Sequence, residues 1–281
     1  MKCFYHNDMD GHCSGAIVYK YMKEEGVELL DSDFIEVNYS QPFPLDKVSE
    51  DELVIIVDFS LEKIEDFRKL LELTPNVVWI DHHKTAIEKY PESEFKCEGV
   101  RKIGEAACVL TWQYFYPGKT IPLAVDLLGD YDVWTFKYKN KTENFQYGVK
   151  IEDTRPTSKI WEQWLDPWSM CDTEIENGAI IRGYIKNVNS NTCKNWMFKS
   201  ELEGYKVVCC NFSGQGLKLF DSVKEEFDIM STFTFNGEKW VVSLFTKKDN
   251  IDVSEIAKKY GGGGHRKAAG FSCLELPFKK S

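Results

Sequence analysis

Two short, entirely apolar runs that end in metal-binding residue types constrain the fold most. Residues 53–57 are followed by Asp58, and residues 77–80 by an Asp-His-His triplet at 81–83. A strand that is apolar at every position is buried on both faces, which is typical of parallel sheets covered by helices. Segments with helical apolar spacing lie between these runs. The sequence therefore predicts an α/β fold built on a parallel sheet.

Acidic and imidazole side chains stand at the ends of three predicted strands. The first strand ends at His6, and Asp58 and Asp81 close the two apolar runs. In open parallel sheets, ligands gather at the carboxyl ends of the strands, so we expect these side chains to meet at one edge. Asp8 and Asp10 follow His6 at intervals of two residues. In an extended segment, this spacing directs all three side chains to one side.

This set of side chains favours a metal site. Carboxylates and imidazoles without a thiolate partner bind hard or borderline divalent ions, with manganese as the best candidate and magnesium or cobalt as alternatives. At least four carboxylates and two histidines would leave unpaired charge around one ion, so we expect two. Two ions ~3.5–4 Å apart bind a bridging water, lower its pKa and hold a phosphoryl group for in-line displacement. The pattern predicts phosphoester hydrolysis.

Each of these residues also has a structural interpretation. Residues 8–11 can form a turn, Asp58 can cap a helix, and His83 can orient Asp81 or His82 instead of contacting substrate. All five histidines of the chain nevertheless lie inside or beside such motifs. Because the coincidence of so many structural roles is improbable, we favour the metal site.

A glycine-rich segment near the C-terminus predicts a second binding region. Four consecutive glycines at residues 261–264 precede a histidine and an arginine. Such a run can be a helix C-cap and a flexible loop, but it also lets backbone approach an anion closely, with the two basic side chains as donors. We favour phosphate binding. The residues expected to bind it are Gly262, Gly263, Gly264, His265 and Arg266.

Length and pattern indicate two domains. The 281 residues are enough for two cores. We predict a catalytic metal-binding domain at residues 1–190, a linker at 191–203 and a smaller α/β substrate-binding domain at 204–281, with the active site in the cleft between the domains. Residues 174–199 are predicted to form a long polar helix. Trp161, Trp164 and Trp168 have helical spacing, and we expect core or domain-contact residues rather than a base-stacking platform.

Charge and composition limit the partners. The net charge of −10 disfavours binding to long duplex nucleic acid, whose affinity comes from Lys and Arg. Residues 200–281 carry 12 Lys and Arg against 11 Asp and Glu, which leaves 23 against 34 for residues 1–199, so the acidic excess accompanies the proposed ligands. We expect no membrane span, no leader, nine reduced cysteines and a cytoplasmic protein. The oligomeric state stays open, a homodimer included.

Together these motifs resemble those of the DHH phosphoesterase superfamily with its DHH-associated C-terminal domain. The resemblance rests on residues 6–11, Asp58, residues 81–83, Gly129-Asp130 and residues 261–270. It implies a first metal held by His6, Asp8 and Asp58. It implies a second metal held by Asp10, Asp58, His82 and Asp130. The catalytic residues implied are Asp58, His82 and His83, with His83 facing the substrate. Which of Asp8 and Asp10 faces which ion stays open.

Asp132 competes with Asp130 for the last ligand position, because either residue follows the predicted helix by a short turn. Asp130 is preferred, since the carboxylate of the family precedes an aromatic residue by four positions, as Asp130 precedes Trp134. The spacing of the first motif is shorter than in the nanoRNases and family II pyrophosphatases of the superfamily. It is like that of RecJ-type exonucleases, which carry Asp where His6 stands.

The leading hypothesis is a metal-dependent phosphodiesterase that hydrolyses short oligonucleotides, dinucleotides or another small phosphoester through a water bridging two metals. A phosphatase acting on 3′-phosphoadenosine 5′-phosphate or pyrophosphate is the alternative enzyme. A catalytically silent nucleotide-binding module is the alternative outside the enzymes.

Overall fold

A computed structural model of the chain describes residues 1–39, 41–91 and 95–278; residues 279–281, the end of the predicted second domain, lie outside these ranges. The chain divides into two compact units, Met1–Ile181 and Arg182–Ser281. This division falls inside a long helix and not in the segment predicted as a linker. Residues 191–203 form the end of that helix and a strand instead.

Unit 1 is built around a four-stranded parallel sheet. Its strands are β1 (Lys2–His6), β2 (Phe34–Val37), β3 (Val54–Val57) and β4 (Val77–Ile80). The order is β2-β1-β3-β4, and every neighbouring pair is parallel. The helices are α1 (Met9–Glu24), α2 (Ile64–Leu73), α3 (Lys84–Lys89), α4 (Ala107–Phe115), α5 (Leu123–Asp132), α6 (Asn140–Gly148), α7 (Ile160–Trp164) and α8 (Asp172–Trp196), which continues into unit 2.

Both faces of this sheet are buried, as the apolar runs predict. Tyr5 and Val57 pack on the side of the sheet that carries Ile17 of α1. Phe4 and Ile56, their neighbours along the strands, pack on the other side with Phe67 of α2 and its surroundings. The parallel α/β fold is therefore confirmed.

The strand order places a crevice at the end of β1. Strand β1 has β2, the next strand in the sequence, as its neighbour on one edge. Strand β3 is its neighbour on the other edge. At such a switch point, adjacent connections leave in opposite directions and open a gap above the carboxyl ends of the strands. His6 ends β1 and Asp58 directly follows β3, so both side chains belong to this gap.

Unit 2 is a smaller α/β unit with a six-stranded mixed sheet. Its elements are β5 (Met197–Leu202), β6 (Tyr205–Asn211), β7 (Ile229–Phe235), β8 (Trp240–Phe245), α9 (Val253–Lys259), β9 (Gly263–His265) and β10 (Ala268–Cys273). The order is β5-β6-β7-β8-β10-β9, and only β6 and β7 are parallel among the pairs described. Ile256 and Ala257 of α9 pack with Val242 and Phe271 in its core.

The three tryptophans of the central region differ in environment. Trp161 and Trp164 are buried in the core of unit 1, in agreement with the core interpretation. Trp168 lies beyond the end of α7 and is 84% exposed, so a core role is wrong for this residue. Separately, none of the helices formed by the described residues combines the length and apolar character that crossing a bilayer requires.

Candidate metal centre

The first motif forms a tight turn from strand to helix. His6 ends β1, Asp8 caps the N-terminus of α1 by accepting a hydrogen bond from the Gly11 amide at 2.9 Å, and Asp10 lies in the first helical turn. A Cβ on Gly11 would lie 2.1 Å from the His6 carbonyl oxygen, so only glycine allows this approach. The prediction of an extended segment is therefore wrong, and the three side chains are brought together by the turn.

Asp10 is held by a second helix. Its carboxylate accepts hydrogen bonds from the Ala107 and Cys108 amides at 2.8 and 2.7 Å, and these are the first two residues of α4. Free amides and the positive end of the helix dipole favour a carboxylate at this position. Asp10 is 3% exposed, so the two amides of α4 hold a buried carboxylate in a fixed position.

Asp58 lies at the centre of the cluster. It is 1% exposed and has a left-handed backbone, with φ of 57°, directly after β3. One carboxylate oxygen, Oδ2, is 3.4 Å from Nδ1 of His6, and the other, Oδ1, is 3.3 Å from Nε2 of His82. Neither oxygen accepts a hydrogen bond from the residues described. A buried carboxylate without donors is costly unless a cation occupies the space beside it.

Two groups of potential ligands share this carboxylate. His6, Asp8 and Asp58 form the first group, in which Nδ1 of His6 is 2.8 Å from Oδ2 of Asp8. Asp10, His82 and Asp132 form the second group, which adjoins the other oxygen of Asp58. Within each group the ligand atoms lie within 4.8 Å of one another. This arrangement fits one metal ion in each group.

Asp132, and not Asp130, belongs to the cluster. Nε2 of His82 lies 3.4 Å from Oδ2 of Asp132. Asp130 instead accepts hydrogen bonds from the hydroxyls of Thr135 and Thr142 and, at 2.9 Å, from the Lys137 amide. Both aspartates lie in the last turn of α5, where residues two apart point about 200° away from each other. The sequence-based preference for Asp130 is thus reversed, because the helix extends further than predicted.

Asp81 orients His83, the histidine predicted to face the substrate. It is fully buried, and its Oδ1 lies 2.8 Å from Nδ1 of His83 and accepts a hydrogen bond from the His82 amide at 2.8 Å. His83 is partly exposed, and with Asp58 and His82 it forms a third group of neighbouring ligand atoms. Because Nδ1 of His83 contacts Asp81, Nε2 is the ring nitrogen that remains available for another hydrogen-bond partner or a metal ion.

The electrostatics of the cluster call for positive charge. Burial, followed by the charges of Asp10 and Asp8, raises the pKa of Asp58 well above its ordinary value. The same causes raise the pKa of Asp132 to about 8, and burial raises that of Asp10. Burial also opposes the ionisation of Asp8. The hydrogen bonds of Asp8, of which the contact with His6 contributes most, outweigh burial and lower the pKa of Asp8. Divalent ions would relieve the repulsion among these carboxylates.

One aromatic residue of the site, Tyr39, was not predicted from the sequence. The ring centre of Tyr39 lies 5.3 Å from that of His6 and 5.9 Å from that of His83. Tyr39 lies two residues beyond the end of β2, and its place near the end of a strand was the only signal available. It forms a wall beside the two histidines.

The glycine motif lies in unit 2. A Cβ on Gly262 would lie 2.1 Å from the Gly270 carbonyl oxygen, and one on Gly264 would lie 2.6 Å from the Ala269 Cα, so close packing of β9 on β10 requires both glycines. A Cβ on Gly263 would meet nothing within 4 Å. His265 and Arg266 are exposed, and Nη2 of Arg266 donates to the Asp249 carbonyl oxygen at 2.7 Å.

Comparison with known proteins is consistent with this geometry. Residues 3–128 match the DHH family, N-terminal domain. The uncharacterized protein R106 of Acanthamoeba polyphaga mimivirus is 30% identical over 295 residues, which cover 96% of this chain and 68% of that protein. The chain belongs to the DHH phosphoesterase superfamily.

Other DHH proteins resemble this one over nearly its whole length. The oligoribonuclease NrnB of Bacillus subtilis (strain 168) is 24% identical over 298 residues, covering 96% of this chain and 72% of NrnB. The structure of the pGpG-specific phosphodiesterase PggH from Vibrio cholerae superimposes with a TM-score of 0.61 at 13% identity, covering 98% of this chain and 94% of PggH. The latter similarity concerns the fold.

Proposed function

We propose that this DHH protein is a metal-dependent phosphodiesterase that hydrolyses short oligonucleotides or dinucleotides. The observation that carries the proposal is Asp58, a buried carboxylate without hydrogen-bond donors among the described residues, whose two oxygens adjoin two different ligand groups. A carboxylate shared in this way is the feature expected of a dinuclear site.

The residues fit two divalent ions, and we propose that these ions are manganese. His6, Asp8 and Asp58 would hold one ion, and Asp10, Asp58, His82 and Asp132 the other. When bound, such a pair activates water and neutralises the charge of a phosphoryl group. Oxygen and imidazole ligands suit manganese better than soft metals.

The protein side chains have separate roles around the reacting phosphoryl group. Asp81 orients His83, and the partly exposed ring of His83 would donate a hydrogen bond or a proton to the phosphoryl group or the leaving oxygen. Contact with Asp81 raises the pKa of His83, despite the opposing effect of burial. A raised pKa favours the protonated form of His83, which is the form that this role requires.

The substrate class is inferred from relatives and from charge. NrnB is named an oligoribonuclease and PggH a pGpG-specific phosphodiesterase. The net charge of −10 disfavours long nucleic acids, whose many phosphates require many basic side chains. We further propose that unit 2 is the substrate-binding domain, with Gly263, His265 and Arg266 contacting a phosphate of the substrate.

Turnover of defined phosphoesters tests this proposal. Purified protein with manganese should release mononucleotides from di- to pentanucleotides of RNA or DNA, and a chelator should stop the reaction. Asp58→Asn should be inactive, whereas Asp66→Asn, which removes a carboxylate on α2 that pairs with Lys69, should retain wild-type activity. The same assay includes 3′-phosphoadenosine 5′-phosphate and pyrophosphate. Preference for either one supports the phosphatase alternative, and no turnover of any compound refutes the enzyme.

A further inference from the structure

Three aromatic rings, those of Tyr131, Trp134 and Phe136, cluster on either side of the proposed metal ligand Asp132 in the sequence, and Tyr131 and Phe136 are partly buried. The ring centres of Trp134 and Phe136 are 5.0 Å apart, and those of Tyr131 and Trp134 are 5.5 Å apart. Trp134 is 63% exposed. Exposing a large indole costs solvation free energy, and on a protein surface an aromatic group of this kind often marks a binding site.

The backbone of this segment is unfavourable for the residues that it carries. Trp134 and Phe136 have φ of 56° and 49°, a left-handed conformation that bulky side chains rarely adopt and glycine adopts freely. Local folding alone would therefore favour glycine at either position. Strain of this kind accumulates where function requires a particular side chain.

Asp130 holds the strained segment in place. Its buried carboxylate accepts hydrogen bonds from the hydroxyl of Thr135 and the amide of Lys137, which flank Phe136. Thr142 of α6 donates to the same carboxylate, so the segment is tied to two helices. The aromatic cluster is consequently presented on a fixed loop and not on a free one.

We propose that Trp134 is a stacking platform for the nucleobase of a nucleotide whose phosphate binds at the metal centre. This inference rests on the proposed function and adds a nucleobase contact to it. Asp132 reaches the centre, and Trp134 is only two residues further along the chain, within about 7 Å at the Cα positions. Aromatic faces stack on any base, so the platform selects nucleotides over other phosphoesters without selecting a base sequence.

Binding measurements separate the base contact from turnover. The Kd values of adenosine 5′-monophosphate and ribose 5-phosphate are measured calorimetrically on manganese-loaded full-length protein, and both ligands are checked to be intact afterwards. Wild type should bind the nucleotide about 10- to 100-fold more tightly than the sugar phosphate, the range expected for one stacked base. Trp134→Ala should reduce this ratio to about twofold, Trp134→Phe should retain most of it, and the affinity for ribose 5-phosphate should not change.

Two further variants control for exposure and folding. Trp168→Ala removes another exposed indole of unit 1 that no proposed ligand adjoins, and it should leave the ratio unchanged. Trp134→Gly suits the left-handed backbone, so it should unfold at the wild-type temperature or above while losing the preference for the nucleotide. A folded Trp134→Gly protein with the wild-type ratio, or a wild type that does not prefer the nucleotide, overturns the platform.

The platform and the proposed function can fail separately. A preference for the nucleotide that depends on Trp134, together with no hydrolysis of any phosphoester, retains the platform and rejects the enzyme. Hydrolysis of dinucleotides by Trp134→Ala with unchanged KM, together with an unchanged binding ratio, retains the enzyme and rejects the platform.

Discussion

Asp132→Asn should stabilise the metal-free protein. The pKa of Asp132 is raised to about 8 from 3.8, by burial and by the charges of Asp10 and Asp8. A raised folded pKa has no effect on stability below pH 3.8. As pH rises from 3.8 toward 8 it destabilises the fold increasingly, because the unfolded chain releases a proton that the folded carboxyl group retains. At pH 7 this penalty is about 4 kcal/mol, from 1.36 kcal/mol per pKa unit. It is an upper bound, because a proton on Asp10 or Asp58 relieves the same repulsion.

The asparagine has a similar shape and no charge, so it removes this penalty. With a chelator at pH 7, we expect the free energy of unfolding of Asp132→Asn to exceed that of wild type by up to about 4 kcal/mol. At pH 5 the gain should fall to about 1–2 kcal/mol, since this pH is closer to the unfolded pKa of 3.8 and keeping the proton on the folded carboxyl group then costs less. With manganese at 100 times its Kd, wild type should gain about 2.7 kcal/mol. The variant lacks a ligand and should gain less.

Asp130→Asn is the matched control, two residues away in the same helix. Burial opposes ionisation of Asp130, but hydrogen bonds from Thr135 and Thr142 lower its pKa. Losing such bonds should destabilise the protein by about 1–3 kcal/mol with or without manganese. The two substitutions are thus expected to have opposite signs in the metal-free protein, although each removes one charge from α5.

Urea unfolding followed by tryptophan fluorescence measures these differences, with chelator or manganese at pH 5 and pH 7. A lower stability of Asp132→Asn than of wild type in chelator at pH 7 would contradict an electrostatic penalty at Asp132. Loss of the manganese response in Asp130→Asn, with retention in Asp132→Asn, would return the ligand role to Asp130.

Three further outcomes are expected. Asp81→Ala should lower kcat but keep the stabilisation by manganese, because Asp81 orients His83 and belongs to neither proposed ligand set. A variant that loses the manganese stabilisation together with activity in a metal titration would contradict this assignment. Arg266→Ala should raise KM with kcat unchanged, if the guanidinium binds substrate equally in the ground and transition states; an unchanged KM in steady-state kinetics removes it from this role. Trp164→Ala should cost about 3–5 kcal/mol in urea unfolding, since the indole is fully buried.

The parallel sheet was predictable because its strands bury both faces. All four residues of β3 are fully buried, and such a run leaves few interpretations. Strand β5 was not predictable in the same way. It lies at the edge of the second sheet, where only Ser200 and Leu202 of its six residues are buried, so the sequence looks polar enough for a linker. Strand β9 contains two glycines in three residues, and pairing with β10 sets its conformation.

The residues that form the metal centre were largely predictable, but which way each side chain points was not. His6, Asp58 and His82 follow from the ends of buried strands, because the backbone register of a sheet fixes where a strand ends. The choice between Asp130 and Asp132 depends on how far α5 continues, and one additional turn of helix rotates a different carboxylate toward His82. Element boundaries are the weakest part of sequence-based prediction, and a ligand beside a boundary shares that weakness.

Charge balance links the fold of this site to its proposed chemistry. Asp8, Asp10, Asp58 and Asp132 contribute four negative charges when ionised. One divalent ion would leave a net charge of about −2 in a largely buried cluster, which low local dielectric makes costly. Two ions bring the cluster close to neutrality without any further side chain. The raised pKa values of Asp58 and Asp132 in the metal-free protein are the electrostatic counterpart of this requirement, because protons replace the missing cations.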